Sequence, residues 1–172
     1  MSPRADATIL VIMGPPGAGK TTLGRALAAR LDWPFADGDD LHPAANVIKM
    51  TAGVPLTDAD RTPWLARIGE VMDQWTAAGR KGVVTCSALK RQYRDTLRTG
   101  RPWLRLVYLQ GEPETLEARV SHRTGHFMPP ALLADQLRVL EPPTADEHPI
   151  VLRAETPTAA QVEMVTRLLS AS

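Results

Sequence analysis

The 172-residue chain is short of several things, and each shortage removes a class of protein. It has a single cysteine, Cys86, so no disulfide can form within the chain. Its formal net charge is only +1, with basic and acidic residues interspersed. That leaves no polybasic membrane patch and no strong electrostatic footprint for nucleic acid, which disfavours a nucleic-acid 5′-kinase. No apolar run approaches the roughly 20 residues that span a bilayer. The run Ala7–Met13 leads into a glycine-rich turn rather than a cleavage site, so it makes a poor signal-peptide core. Asn46 is the only asparagine and is not followed by lysine, so the Asn-Lys-x-Asp signature of guanine-specific switches is missing. Internal repeats and low-complexity stretches are absent too. These exclusions leave a soluble cytoplasmic protein of one domain, residues 1–172, with enough chain for a real core.

What is present begins with Ile9–Met13, a continuous apolar run that stops at Gly14. Gly14-Pro15-Pro16-Gly17-Ala18-Gly19-Lys20-Thr21-Thr22 follows, matching the phosphate-binding P-loop between a buried strand and a helix. Glycines let successive N–H groups turn inward around an anion, with a helix N-terminus behind them. Lys20 can reach the β- and γ-phosphates, and the Thr21 hydroxyl can ligate Mg²⁺. Prolines at 15 and 16 remove two N–H donors, so the cradle is expected to rely on the amides of Gly17 to Thr22.

Patterning predicts strands at Thr8–Met13, just before Asp37, at Gly82–Cys86, Trp103–Leu109 and Ile150–Ala154. Helices are expected over Lys20–Leu31, near Asn46–Thr51, from a capping box at Thr57-x-x-Asp60 to Thr76, and from Lys90 to Thr99. Others are expected at Pro113–His122, Ala131–Leu140 and Thr158–Leu169. Pro63 is placed in the first turn of its helix, where a missing N–H costs little. Trp64, Leu65, Ile68, Val71, Met72 and Trp75 form a stripe read as core packing, and Cys86 is read as an inert core thiol. Alternating strands and helices imply an α/β fold, a parallel sheet covered on both faces, with ligands at the carboxyl ends of the strands. The P-loop, Asp37/Asp39 and Ser87–Lys90 all follow strands directly and should therefore share one cleft.

Phosphoryl transfer needs positioning and charge neutralisation more than covalent help. Of Asp37 and Asp39, one carboxylate can hold Mg²⁺ through water and the other can orient or deprotonate an acceptor hydroxyl. His42, Lys49, Arg61, Lys90 and Arg94 offer cations around the same cleft, and an arginine fork such as Arg61 or Arg94 suits a carboxylate. Arg98, Arg101 and Arg105 are left as solvated charges. Arg119 and Arg123 share a helix face ahead of the excursion 124–130, an arrangement open to two readings. One is a lid carrying arginines; the other is exposed charge at a helix C-terminus.

Residues 37–65 narrow the field further. Asp-Gly-Asp-Asp-Leu-His-Pro at 37–43, Asn46-x-x-Lys49-Met50, and Gly53-x-Pro55-Leu56-x-Asp58-x-Asp60-Arg61-x-Pro63-Trp64-Leu65 form one block. With Cys86-Ser87-Ala88-Leu89-Lys90-x-x-Tyr93-Arg94 and the lid segment Gly125-His126-Phe127, it resembles the gluconokinase family nearly end to end. The resemblance is weakest in the last strand and helix. It implies a P-loop kinase of the nucleoside-monophosphate-kinase-like group: a five-stranded parallel sheet in order 2-3-1-4-5, an acceptor segment near 39–78 and a lid near 119–140. It also implies ATP and Mg²⁺ as cofactors, D-gluconate as the acceptor at its 6-hydroxyl, and a homodimer. On this resemblance Lys20, Asp39 and Arg123 are catalytic, and Thr21 and Asp37 serve the metal. The nucleotide is held by residues 14–22, with Arg119 near the adenine and Arg123 near the phosphates. The acceptor is held by Asp39, His42, Lys49, Arg61, Lys90, Arg94 and His126. The nearest rival is another small-molecule kinase of this fold, such as shikimate or adenylate kinase. Against the first, the turn after strand three is Cys86-Ser87-Ala88 rather than three glycines.

Overall fold

The computed structural model describes residues 9–122 and 130–171. Its centre is β1 (Ile9–Met13), whose five residues are all fully buried. They are continuously apolar because β1 pairs in parallel with β3 (Gly82–Thr85) on one side and β4 (Leu104–Gln110) on the other. β2 (Phe35–Asp37) and β5 (Ile150–Arg153) complete a five-stranded sheet in the order 2-3-1-4-5, as expected.

The pleat sends alternate β1 residues into two separate cores. Leu10 and Ile12 pack with Leu23 and Leu27 of α1 (Lys20–Leu31) and Val162 and Val165 of α7 (Thr158–Ser170). Ile9, Val11 and Met13 pack on the opposite face with Trp64, Ile68 and Met72 of α3 (Asp58–Ala77) and Tyr93 and Leu97 of α4 (Arg91–Arg98). The stripe on α3 is thus core, as its spacing predicts. α2 (Ala44–Thr51), α5 (Pro113–Ser121) and α6 (Pro130–Val139) complete the described helices.

Two local expectations change. The capping box is present: Asp60 N donates to Thr57 Oγ1 at 3.1 Å, and Thr57 N to Asp60 Oδ2 at 2.9 Å. With Thr57 as the cap, Pro63 lies inside α3 rather than in its first turn. Its ring nitrogen cannot donate to the Ala59 carbonyl, but Ala59 is exposed, so water can take that bond. Strand β3 ends at Thr85, which leaves Cys86 buried just beyond it.

Candidate active site

The P-loop joins β1 to α1. Ala18 N donates to Pro15 O at 3.2 Å, closing a four-residue turn. Pro16 occupies the position whose φ proline presets, and Gly17 has φ 82°, the left-handed value that a type II turn demands next. The paired prolines therefore shape the loop. A Cβ at Gly17 would also lie 2.7 Å from Leu116 O. Gly14 N is spent on Ser87 O at 3.3 Å, which ties the loop to the end of β3. With Gly14 N and Ala18 N committed, an anion would meet the amides of Gly17 and Gly19 and the positive end of α1. Lys20 Nζ donates to Gly14 O at 2.9 Å and Pro15 O at 3.0 Å, holding its charge over the loop.

The turn after β2 forms the facing wall. Asp37 Oδ2 accepts from Thr21 Oγ1 at 3.0 Å, and Oδ1 from Asp39 N at 3.0 Å and Thr85 Oγ1 at 3.1 Å. Gly38 separates the two carboxylates because a Cβ there would sit 2.0 Å from Thr85 O. Asp37 is thus held by its neighbours, while Asp39 lies exposed on the cleft wall. His42 stacks on Trp64 with ring centroids 4.2 Å apart, and Trp64 Nε1 donates to Gly38 O at 2.7 Å. Burial, reinforced by the charge of Arg61, pushes the His42 pKa down to about 4. His42 is therefore neutral near pH 7, which corrects its assignment as a cation.

The third wall comes from α3 and the loop before α4. Arg61 Nη1 donates to Leu56 O at 2.7 Å and to the Tyr93 hydroxyl at 3.3 Å. Tyr93 donates in turn to Asp58, which also pairs with Lys90 at 3.0 Å. The Tyr93 hydroxyl, and after it Lys90, hold the Asp58 carboxyl down at about 2.

These walls enclose a cleft of about 1150 Å³, lined by residues 16–22, Asp39, His42, Arg61, Ser87, Lys90 and Arg119 among others. The expected meeting of three strand ends is therefore observed. Arg119 bridges the nucleotide side, donating to Gly17 O at 3.3 Å and Ala154 O at 2.8 Å. Arg123, His126 and the rest of 123–129 lie outside the described residues.

Two proposed acceptor ligands do not reach the cleft lining. Lys49 Nζ pairs with Asp60 Oδ2 at 2.7 Å. Arg94 is 1 % exposed and is consumed internally. It donates to Glu147 from Nε at 2.7 Å and Nη2 at 3.2 Å, and to Ala88 O at 2.9 Å. A guanidinium so buried and engaged holds the Ser87–Lys90 loop in place and does not line the cleft. The arginines taken as solvated are also engaged. Arg98 pairs with Glu147 at 2.9 Å, Arg101 forks onto both Asp73 oxygens at 2.8 Å, and Arg105 donates to His148 O at 3.2 Å. Burial pushes the Cys86 thiol up to about 12, in keeping with an inert side chain.

The segment Ala154–Thr158 also lines the cleft and was not anticipated. The strand-end rule applied to β5 would have found it. Asn46, buried and bonded to His42, stands in the 46–50 motif, but nothing in that motif marks it as a partner of His42. Glu147 is announced by Thr144-x-x-Glu147, a second capping box that the structure realises.

The site suits a nucleotide triphosphate with a divalent cation. Its loop offers amides, a lysine and a helix N-terminus, and Thr21 and Asp37 stand side by side where a cation would meet phosphate oxygens. Among the described residues no cluster of His, Cys, Asp and Glu could hold a metal alone. A cation here would share Thr21, phosphate oxygens and water. No helix among them is long and apolar enough to cross a membrane.

Comparison with known proteins agrees with this geometry. The shikimate kinase family profile matches residues 16–162. The thermosensitive gluconokinase of Escherichia coli K12 is 49 % identical over 82 % of this chain and 75 % of its own. The crystal structure of a gluconokinase from Sinorhizobium meliloti 1021 superposes with a TM-score of 0.85 at 44 % identity, covering 96 % of this chain and 93 % of that one. An unliganded sugar kinase from Janibacter sp. HTCC2649 gives 0.88 at 42 %, covering 94 % of each. The chain belongs to the shikimate kinase family of P-loop domains and, within it, to the gluconokinases, which are ATP-dependent phosphotransferases.

Proposed function

We propose that the protein transfers the γ-phosphate of ATP to the 6-hydroxyl of D-gluconate, giving 6-phosphogluconate and ADP. The observation that carries this is the single cleft in which the P-loop faces Asp39, His42, Arg61 and Lys90. The first holds a phosphate donor; the second is a hydroxyl- and carboxylate-binding wall matched to a polyhydroxylated anion.

In the reaction the O6–P bond forms as the bond from Pγ to its bridging oxygen breaks, and the 6-hydroxyl proton leaves toward Asp39. Lys20, with Arg123 of the lid, neutralises the transferring phosphoryl. Thr21, steadied by Asp37, would hold Mg²⁺, which when bound draws charge from the β- and γ-phosphates. Arg61 is the fork for the gluconate carboxylate. Among the described residues both of its hydrogen bonds leave from Nη1, so Nε and Nη2 meet no acceptor there. Lys49 and Arg94 are committed elsewhere.

The same reading makes residues 1–172 one kinase domain, with an acceptor segment near 39–78 and a lid near 119–140 that includes His126. It acts as a homodimer in the cytoplasm. A coupled assay for ADP over gluconate, shikimate and AMP tests the substrate. Turnover is expected with gluconate alone; turnover with shikimate or AMP in its place would overturn the reading.

A further inference from the structure

Asn46 is 3 % exposed and sits between His42 and the start of α3. Its Nδ2 lies 2.8 Å from Asp60 O and 3.2 Å from His42 Nδ1. A backbone carbonyl only accepts, so the atom facing it must be the amide nitrogen. That settles which way the side chain points. The nitrogen carries two hydrogens: one goes to Asp60 O, and the other is left for His42 Nδ1.

An Nδ1 that receives a hydrogen bond must present a lone pair. We propose that Asn46 is a positioning residue that locks His42 in the neutral tautomer protonated at Nε2, making His42 an uncharged donor to a hydroxyl oxygen of the acceptor. This rests on the gluconate reading above. Trp64 covers one face of the ring at 4.2 Å and is itself fixed to Gly38 O. With Nδ1 on Asn46, the edge that His42 brings to the cleft is Nε2–H. The low basicity of His42, caused first by burial and then by the charge of Arg61, agrees with a neutral ring. Asp39 and His42 then divide the work on a polyol: Asp39 accepts from hydroxyl hydrogens, His42 donates to hydroxyl oxygens, and the carboxylate falls to Arg61.

The chain of support runs further back. Asp60 closes the capping box of α3 with its side chain and orients Asn46 with its carbonyl, while Lys49 pairs with the same carboxylate. This explains why Lys49 stands near the site without lining it.

Nitrogen-15 NMR of the full-length protein at pH 7 reads the tautomer directly. The His42 ring should show a protonated Nε2 and an unprotonated Nδ1; a protonated Nδ1, or a cationic ring, would overturn the proposal. Asn46→Ala should raise the KM for gluconate about tenfold, the loss of one well-placed hydrogen bond, with the KM for ATP unchanged. An equal rise in both, or no rise, would count against it. His42→Gln keeps a donor at the Nε2 position and should retain more gluconate affinity than His42→Asn; the reverse order contradicts the assignment. The tautomer is read without turnover. A wrong tautomer therefore sinks this inference alone, whereas a wild-type chain that fails to phosphorylate gluconate sinks the functional reading and with it the role of His42.

Discussion

Thr21 Oγ1 donates to Asp37 Oδ2 at 3.0 Å, joining the first turn of α1 to the end of β2. The contact couples the phosphate-holding loop to the turn that carries Asp39, because the other Asp37 oxygen accepts from Asp39 N. One carboxylate therefore sets the spacing between donor and acceptor sides. Asp37→Asn is expected to raise the Mg²⁺ concentration for half-maximal rate about tenfold, the usual cost of disturbing a group behind a metal ligand. A Mg²⁺ titration at saturating ATP and gluconate checks this.

Asp39 is the carboxylate left open to the cleft. Asp39→Asn should lower kcat by about 100-fold or more, within the range for removing a general base, while ATP still binds. Calorimetric ATP titration beside steady-state kinetics separates the two effects. Near-normal turnover would remove Asp39 from the mechanism.

Arg61 and Lys49 make a matched pair of tests. Arg61→Ala should raise the KM for gluconate about 10- to 100-fold, as expected for a lost charge-assisted bond. Lys49→Ala should change it much less, because Lys49 is bound to Asp60. Initial rates over a gluconate series decide between them.

Glu147 and Arg94 form a buried ion pair, and removing one partner strands the other. Arg94→Ala should cost about 3–5 kcal/mol in chemical denaturation. Burial opposes ionisation of Glu147, but hydrogen bonds from Arg94, Thr144 N–H and Arg98 outweigh it and hold the carboxyl at about 2. Its folded pKa is thus below the ordinary 4.5, so its contribution is present above pH 4.5 and lost as pH falls toward 2. Stability should decline across that window, and Glu147→Gln should flatten the decline.

Features written in short stretches of sequence were legible. The P-loop, the Thr57–Asp60 box, the fully apolar β1 and the three strand ends could be read because each is a local pattern with one physical cause. Partners far apart in the chain were not. Arg94 reads as a free fork beside the cleft until Glu147, 53 residues on, is brought against it by the fold. His42 reads as a cation until the fold buries it and brings Arg61, 19 residues on, close enough to hold its pKa down. Pro63 reads as a first-turn residue because proline favours that position, although the capping residue Thr57, six residues before it, already sets the helix start. The paired prolines in the P-loop make sense once Gly17 is seen to complete their turn.

The central claim is a single transfer from ATP to one hydroxyl. It is tested most directly by incubating the protein with γ-labelled ATP, Mg²⁺ and D-gluconate and locating the phosphate in the product by phosphorus–proton correlation. The label should appear on gluconate at the C6 oxygen, one equivalent for each ADP formed. ADP formed without labelled gluconate, or label on another oxygen, would contradict it.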